Sequence, residues 1–387
     1  MDIAFSPGQE VFRLEFRRWL AETLDPAWGG VRFTGPDDDV ENAALQKAWE
    51  QKLYAAGYQG LHWPKDYGGQ GLTLVEHLIV SEELGRASAP EGINTMGKEL
   101  VGPILLKLGT EEQKRHYLPR ILTVDDIWCQ GFSEPDAGSD LAGLRTQAVL
   151  DGDHWVINGQ KLWTSFARQA DMCILLARTD PSAPKHKGLT LFMVDVRSLG
   201  VDIRPLRQIT GRSEFNEVFF KDVRVPVGRN LGAVGDGWNA AVGVLGFERA
   251  TARLYRQARF LAEFRQLVES LAARPEKAGD PWFRQAAGRL FAELSMLRLL
   301  NLKTVSRIVN GKGIGAESSI VKLFWSELHQ RIAQFAVEVF GEGFVLGEPE
   351  AERFRFVYLQ SRAETIFAGT SEIQRNIIAE RMLQLGR

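Results

Sequence analysis

Cysteine is scarce: Cys129 and Cys173, in 387 residues, form neither a disulfide framework nor a Cys-x-x-Cys pair. A reducing cytoplasm is therefore the expected location. The six histidines (His62, His77, His116, His154, His186 and His329) are scattered, with no pair at helical ligand spacing, so no metal site is expected. No apolar run approaches the roughly 18 residues that span a bilayer. The first residues lack the basic start and apolar stretch of a signal peptide. Charge of one sign is also missing: 47 basic and 49 acidic residues give a net −2, with no basic block. Nucleic acid and membrane are thus not expected partners. What remains is 44% hydrophobic and 25% charged, an ordinary globular balance long enough for two or three domains.

Three textures follow one another along the chain. Residues 1–124 read as helices. Val11, Phe12, Phe16, Trp19 and Leu20 share a face, as do Leu45, Trp49 and Leu53. The Pro/Gly loop Trp63–Leu72 interrupts them. Helices resume at Thr73–Arg86 and near Leu100–Leu108, and Gly109–Lys114 caps another. From Ile127 to about Val225 the apolar residues come in short runs between turn signals. Strands are expected at Arg145–Leu150, His154–Lys161, Met172–Ala177, Leu189–Val196 and Glu217–Phe220, with turns at Asp151-Gly152-Asp153 and Asn158-Gly159. Helical periodicity then returns in segments 239–272, 282–310 and 316–340, which with the last helices form a four-helix bundle. The fold class is α+β, with domains at 1–124 (helical), 125–232 (a β-barrel or sandwich) and 233–387 (bundle).

Three stretches carry the chemistry. Gln130–Asp140 alternates hydroxyls, glycine and free backbone N–H groups at a strand end, suited to a polar ring edge and a phosphate. Gly159–Ser165 sets the Trp163 indole beside two hydroxyls, a surface on which a planar cofactor can stack. Ile366–Arg375 reads as a turn at Gly369 and a helix running to about Leu385. Thr370 or Ser371 caps that helix, and Ser371 with Gln374 fits a capping box. A capped N-terminus of this kind presents N–H groups to an anionic or carbonyl ligand.

Together with Trp63–Gly69, Gly109–Lys114 and Glu217–Pro226, and in the same order along essentially the whole chain, these motifs resemble the acyl-CoA dehydrogenase family of flavoproteins. The resemblance implies FAD-dependent α,β-dehydrogenation of an acyl-CoA thioester to the trans-2-enoyl-CoA. A carboxylate takes the α-proton, flavin N5 takes the β-hydride, and electrons pass to an electron-transfer flavoprotein. By the match, Gln130, Phe132, Ser133, Gly138, Ser139, Trp163, Ser165, Thr370 and Glu372 contact FAD. Ser139, Ala368, Gly369 and Arg249 face the substrate. A carboxylate at Glu372 needs a cation nearby if a diphosphate is to be tolerated there.

Many family members carry the base immediately before Gly-Thr. Here that residue is Ala368, which cannot take a proton. A minority branch, including isovaleryl- and long-chain-type enzymes, supplies the base from the long bundle helix. The sequence Leu245-Gly246-Phe247-Glu248-Arg249-Ala250 matches that branch, making Glu248 the expected base. The Arg-x-x-Phe-Gly segment that reaches a neighbouring subunit's FAD is missing between Leu267 and Pro281, and Glu338 replaces a family Gln. Both losses fall on the half-site one subunit donates to another. An α2β2 assembly with a homologous chain, as in the branch acting on steroid side-chain thioesters, is therefore expected beside the homotetramer or dimer. Two other readings share the fold: a flavin oxidase, and a catalytically silent partner subunit.

Overall fold

Polar caps start several of the helices. In the computed structural model, which describes residues 4–25, 28, 35, 38–252 and 254–386, Ser6, Thr73 and Thr110 each close a capping box, with Gln9, Glu76 and Gln113. In chain order the helices are α1 (Pro7–Thr23), α2 (Asp39–Ala55), α3 (Leu74–Arg86), α4 (Gly102–Leu108), α5 (Glu111–Leu122), α6 (Gly237–Ala250) and α7 (Arg256–Ala272). They continue with α8 (Pro275–Gly279), α9 (Pro281–Val309), α10 (Ser318–Phe340), α11 (Glu342–Leu346), α12 (Glu352–Glu364) and α13 (Ser371–Arg381). The strands are β1 (Trp128–Gly131), β2 (Gln147–Asp151), β3 (His154–Ser165), β4 (Met172–Arg178), β5 (Leu189–Asp195), β6 (Val201–Leu206), β7 (Phe215–Pro226) and β8 (Asn230–Leu231). The order is helices, a sheet domain, then helices, as the sequence predicts.

By internal contacts the chain makes two units. One is built from Pro36–Gly71 and Glu91–Glu248, the other from Met1–Gly35, Leu72–Pro90 and Arg249–Arg387. The first holds an eight-stranded sheet ordered β6-β7-β3-β2-β4-β5-β8, with β1 added parallel to β4. β4 and β5 are buried along nearly their whole length, which is why they read as unbroken apolar runs. Their side chains join Trp155, Ile157, Val218 and Val223 in the sheet core. Asn94 ties α5 to β1: its amide donates to the carbonyls of Ile121 (3.0 Å) and Asp126 (2.8 Å), and its oxygen accepts from the Trp128 N–H (2.9 Å). Gly102 lets α4 lie against the buried Trp63, for a Cβ there would stand 2.0 Å from the indole.

In the second unit, apolar residues three and four apart on α7 (Phe260, Phe264, Leu267, Leu271), α9 (Leu290, Leu294, Leu297) and α10 (Trp325, Leu328, Ile332, Phe335) form one core. Truncating any of these leucines to alanine costs about 2–5 kcal/mol. α1 is pinned to α3 by Arg17, whose guanidinium donates to Glu83 at 2.8 and 2.6 Å.

Four expectations change. Segment 239–272 is not one helix: α6 ends at Ala250 and α7 begins at Arg256. The Asn301 amide takes up the Leu254 carbonyl inside the break (3.3 Å), and apolar spacing on both sides hides it from the sequence. Asn158-Gly159 is not a hairpin turn but runs on within β3, opposite a bulge in β7 where Lys221 and Asp222 together face Asn158. Asn158 and Asp222 exchange hydrogen bonds there (3.0 and 2.9 Å), and Gly159 passes so close to Thr146 that a Cβ would meet its hydroxyl at 2.4 Å. β6 and β8 are additional strands. The last helix is capped by Thr370 alone, which accepts from the Ile373 N–H (3.3 Å), and it ends at Arg381. Ser371 and Gln374 form no capping box, because Gln374 turns back to the preceding turn.

Candidate cofactor and active site

In the sheet unit, β1 delivers Gln130 and leads into a loop that carries the buried Phe132, the half-buried Ser133 and the exposed Gly138 and Ser139. Glu134 and Ala137 exchange backbone hydrogen bonds (3.0 and 3.1 Å), closing the loop on itself. The loop is stitched to β3 twice. The Leu162 N–H donates to the Ser133 carbonyl (2.8 Å), and the Lys161 ammonium donates to the Phe132 carbonyl (3.0 Å) and the Glu134 carboxylate (2.8 Å). Glu134 also accepts from the N–H groups of Arg145 (2.6 Å) and Thr146 (2.9 Å). Burial disfavours the Glu134 charge, but Lys161 and these donors outweigh it and hold the carboxyl below its usual range. Burial pulls the Lys161 ammonium below its ordinary value, against the attraction of Glu134. The sequence showed Glu134 and Lys161 inside two motifs and gave no sign that they meet.

A second register shift, between Lys161 and Thr164, aims the stacking surface. Strict alternation from the inward Lys161 would point Trp163 inward as well. Instead Trp163 has φ +61°, its indole is 56% exposed, and Thr164 takes the buried place. Phe215 supports the ring edge-on at 6.0 Å. Ser165 is half-buried two residues on, so the two motifs adjoin in this unit. Glu248 lies in the last turn of α6 and is only 8% exposed, unlike an ordinary solvated helix glutamate. Arg249 follows, partly buried.

In the helical unit, the turn before α13 is tightly tied. The N–H groups of Ile366 and Phe367 both reach the Ala363 carbonyl (2.9 and 3.0 Å), and that of Ser371 reaches Thr365 (3.0 Å). Gln374, buried, donates to the carbonyls of Ala368 (3.0 Å) and Gly369 (3.1 Å). Gly369 has φ +85°, and Ala368, at φ +57°, holds the same left-handed form at a cost of about 1 kcal/mol. Among the described residues no acceptor takes the Ala368 N–H.

Beside this turn lies a cavity of about 650 Å³, lined among others by Arg331, Arg362, Thr370, Ser371, Glu372 and Arg375. The Ser371 hydroxyl is buried here without a partner. Arg362 is held by neutral acceptors, the Tyr358 carbonyl (3.1 Å) and the Ser361 hydroxyl (3.0 Å), so no carboxylate among the described residues cancels its charge. The exposed Glu372 keeps its carboxyl below the usual range through its own backbone N–H and the Thr370 hydroxyl, and Arg375 stands 3.7 Å away. Arg375 also pairs with Glu327 (2.5 Å) and Arg331 with Glu293 (3.0 Å), which leaves Arg362 as the cavity arginine that no carboxylate holds among the described residues. Within the helical unit, an orphaned hydroxyl, an uncancelled guanidinium and a helix N-terminus suit an anionic group such as a diphosphate; within the sheet unit, the bared indole suits a planar ring system.

Comparison with known proteins agrees with this chemistry. Three family models match in succession: the acyl-CoA dehydrogenase N-terminal domain over residues 6–125, the middle domain over 129–223 and the C-terminal domain over 235–383. The acyl-CoA dehydrogenase IpdE1 of Mycobacterium tuberculosis is 43% identical over 381 residues, covering 98% of each chain. Two solved structures, the Tcur3481-Tcur3483 steroid ACAD and the ChsE4-ChsE5 complex from Mycobacterium tuberculosis, are each 31% identical over the full length of both chains. Their TM-scores are 0.85 and 0.86. The chain belongs to the acyl-CoA dehydrogenase family of FAD flavoproteins, oxidoreductases that act on acyl-CoA.

Proposed function

We propose that this acyl-CoA dehydrogenase uses Glu248 as its base, and that the turn before α13 binds without catalysing. The observation that carries this reading is the pairing of a vacant base position at Ala368 with a buried carboxylate at Glu248. A thioester α-proton is far less acidic than a carboxylic acid, so its carbonyl oxygen must be hydrogen-bonded as enolate character grows. The unpaired Ala368 N–H supplies one such donor. Glu248 takes the α-proton, and Arg249 and Ser139 orient the substrate. Bound FAD supplies the two-electron acceptor for the hydrogen on the β-carbon. Trp163 offers its face to the ring system, Ser165 a hydroxyl, and Gln130, Phe132, Ser133 and Gly138 the loop that seats the ring edge. Thr370, Glu372 and the cavity arginines hold the diphosphate end. The electrons then leave to an electron-transfer flavoprotein.

Glu248→Gln tests the base. The variant should keep its yellow flavin spectrum yet fail to bleach when acyl-CoA is added anaerobically. Bleaching at the wild-type rate would revive the silent-subunit reading. Mixing reduced enzyme with oxygen, and separately with an electron-transfer flavoprotein, distinguishes an oxidase from a dehydrogenase.

Two further features belong to the same proposal. The missing Arg-x-x-Phe-Gly segment and Glu338 point to a homologous chain that completes the FAD site in an α2β2 assembly. The two similar structures, Tcur3481-Tcur3483 and ChsE4-ChsE5, are each named as a pair. Full FAD occupancy in a homotetramer of this chain alone would sink that idea. The short Ala368 side chain leaves space for a branched or ring-bearing acyl group, and one similar structure is named a steroid enzyme. Anaerobic bleaching by straight, branched, aromatic and steroid acyl-CoAs would rank the substrates.

A further inference from the structure

Four ionisable groups that the proposed reaction does not use are sealed inside the helical unit. Arg256 opens α7, Glu263 lies two turns on, His329 is in α10 and Glu364 is the last residue of α12. They form a chain. The Arg256 guanidinium donates to Glu364 Oε1 (2.7 Å), Glu364 Oε2 meets His329 Nδ1 (2.6 Å), and His329 Nε2 meets Glu263 Oε2 (2.9 Å). Phe260 stacks on the imidazole with ring centroids 3.9 Å apart.

With a carboxylate at each ring nitrogen, only the imidazolium has an N–H for both. The chain then carries two positive and two negative charges and is balanced. Burial lowers the proton affinity of His329, but Glu364 and Glu263 raise it more, so the ring stays protonated above its ordinary value of about 6.5. Other charged groups on the packed elements are Lys322 on α10 and Arg259 on α7, both buried, and Glu293 on α9, which pairs with Arg331.

The chain ends on the turn. The Arg256 guanidinium carbon stands 4.0 Å from the centre of the Trp325 ring and 5.9 Å from that of Phe367, and the Trp325 and Phe367 rings lie 6.4 Å apart. Phe367 immediately precedes Ala368, whose N–H is free, and Glu364 sits where α12 gives way to the turn. Burying charges is a costly way to hold helices together, and apolar residues of similar volume serve stability as well or better. The gain is orientation.

We propose that Arg256 and His329 are positioning residues, which through Glu364 and Phe367 set the place of the Ala368 N–H and of the Gly369–Thr370 backbone. The inference rests on the reading of that turn as a binding element. Arg256 and Glu364 are 108 positions apart, so the link couples the start of α7 to the end of α12. The guanidinium beside Phe367 is the one that pairs with Glu364, so a shift of either contact reaches the other.

The holoenzyme tests this through two binding constants, for FAD and for a non-reducible acyl-CoA thioether, read from the flavin spectrum. Arg256→Met should weaken both about tenfold or more and change the visible circular dichroism of the flavin. The rate of flavin reduction should fall by up to about 10²-fold, as small misplacements do. Arg256→Lys, which keeps the charge on Glu364 but loses the planar face over Trp325, should fall between. Leu290→Ala, in the same core, is the control for lost stability. If Arg256→Met and Leu290→Ala lower the melting temperature alike and leave both constants at wild-type values, the inference is overturned. His329→Gln serves the same comparison where Arg256→Met does not fold. Gly369→Val separates the two readings, because a Cβ there would stand 2.5 Å from the Gln374 amide and must distort the turn. No effect of Gly369→Val overturns the binding role and the inference with it. An effect of Gly369→Val without one of Arg256→Met overturns the inference alone.

Discussion

Replacing Lys161 by methionine keeps most of the apolar stem of a fully buried side chain and removes its charge. Glu134, 8% exposed, would keep the N–H groups of Arg145 and Thr146 but lose its cation, and the Phe132 carbonyl would lose its donor. Breaking a buried ion pair from one side costs about 3–5 kcal/mol, because the other charge stays in a poor solvent. For a unit of this size that lowers the melting temperature by on the order of 10 °C. The damage should be local as well as global, since the same ammonium holds the loop carrying Phe132 and Ser133 against β3. Purified Lys161→Met protein should therefore contain less flavin than wild type, measured as the ratio of flavin to protein absorbance. The decisive comparison adds Glu134→Gln. The amide carries no charge, and its single oxygen can keep one of the Arg145 and Thr146 N–H donors, which reach different oxygens of Glu134, so the double variant should recover about 1 kcal/mol or more of the loss. If Lys161→Met unfolds within about 1 kcal/mol of wild type, or the double variant is no better than the single, the buried pair is not what holds the loop.

Three further outcomes are expected. Gly102→Ala places a methyl 2.0 Å from the Trp63 ring, so one of two buried elements must move; a loss of about 1–3 kcal/mol is expected in denaturant unfolding. Glu83 loses by burial but is held below the usual carboxylate range by Arg17 and Arg86, so its contribution is present above about pH 4.3 and lost as pH falls through its depressed value. The acid limb of melting temperature against pH should accordingly flatten in Glu83→Gln. His329 has the opposite sign. Its raised value gives stability that is full below about pH 6.5 and lost as pH rises through the folded value, so the alkaline limb should flatten in His329→Gln.

The helix starts at Thr73 and Thr110 were legible because a cap and its partner lie three residues apart. β4 and β5 were legible because each is a single apolar run between turn signals. The candidate site was legible as three short motifs and a vacancy, Ala368, since turns, hydroxyls and a missing carboxylate are all properties of neighbouring residues. The bulges in the β3–β7 pair were not legible. Asn158-Gly159 has the composition of a tight turn, and only its pairing with Asp222 and its approach to Thr146 make it part of a strand. The outward turn of Trp163 depends in the same way on register against β7.

The sequence by itself determined the order of elements, the family and the residue types available for chemistry, because local spacing records all of these. Only the tertiary structure decided which charges are buried together. Lys161 meets Glu134 across 27 positions, and His329 meets Glu364 and Glu263 across 35 and 66. Nothing in local spacing marks such partners. Their ionisation depends on burial and on distances of about 3 Å, which exist only once the helices and strands have packed.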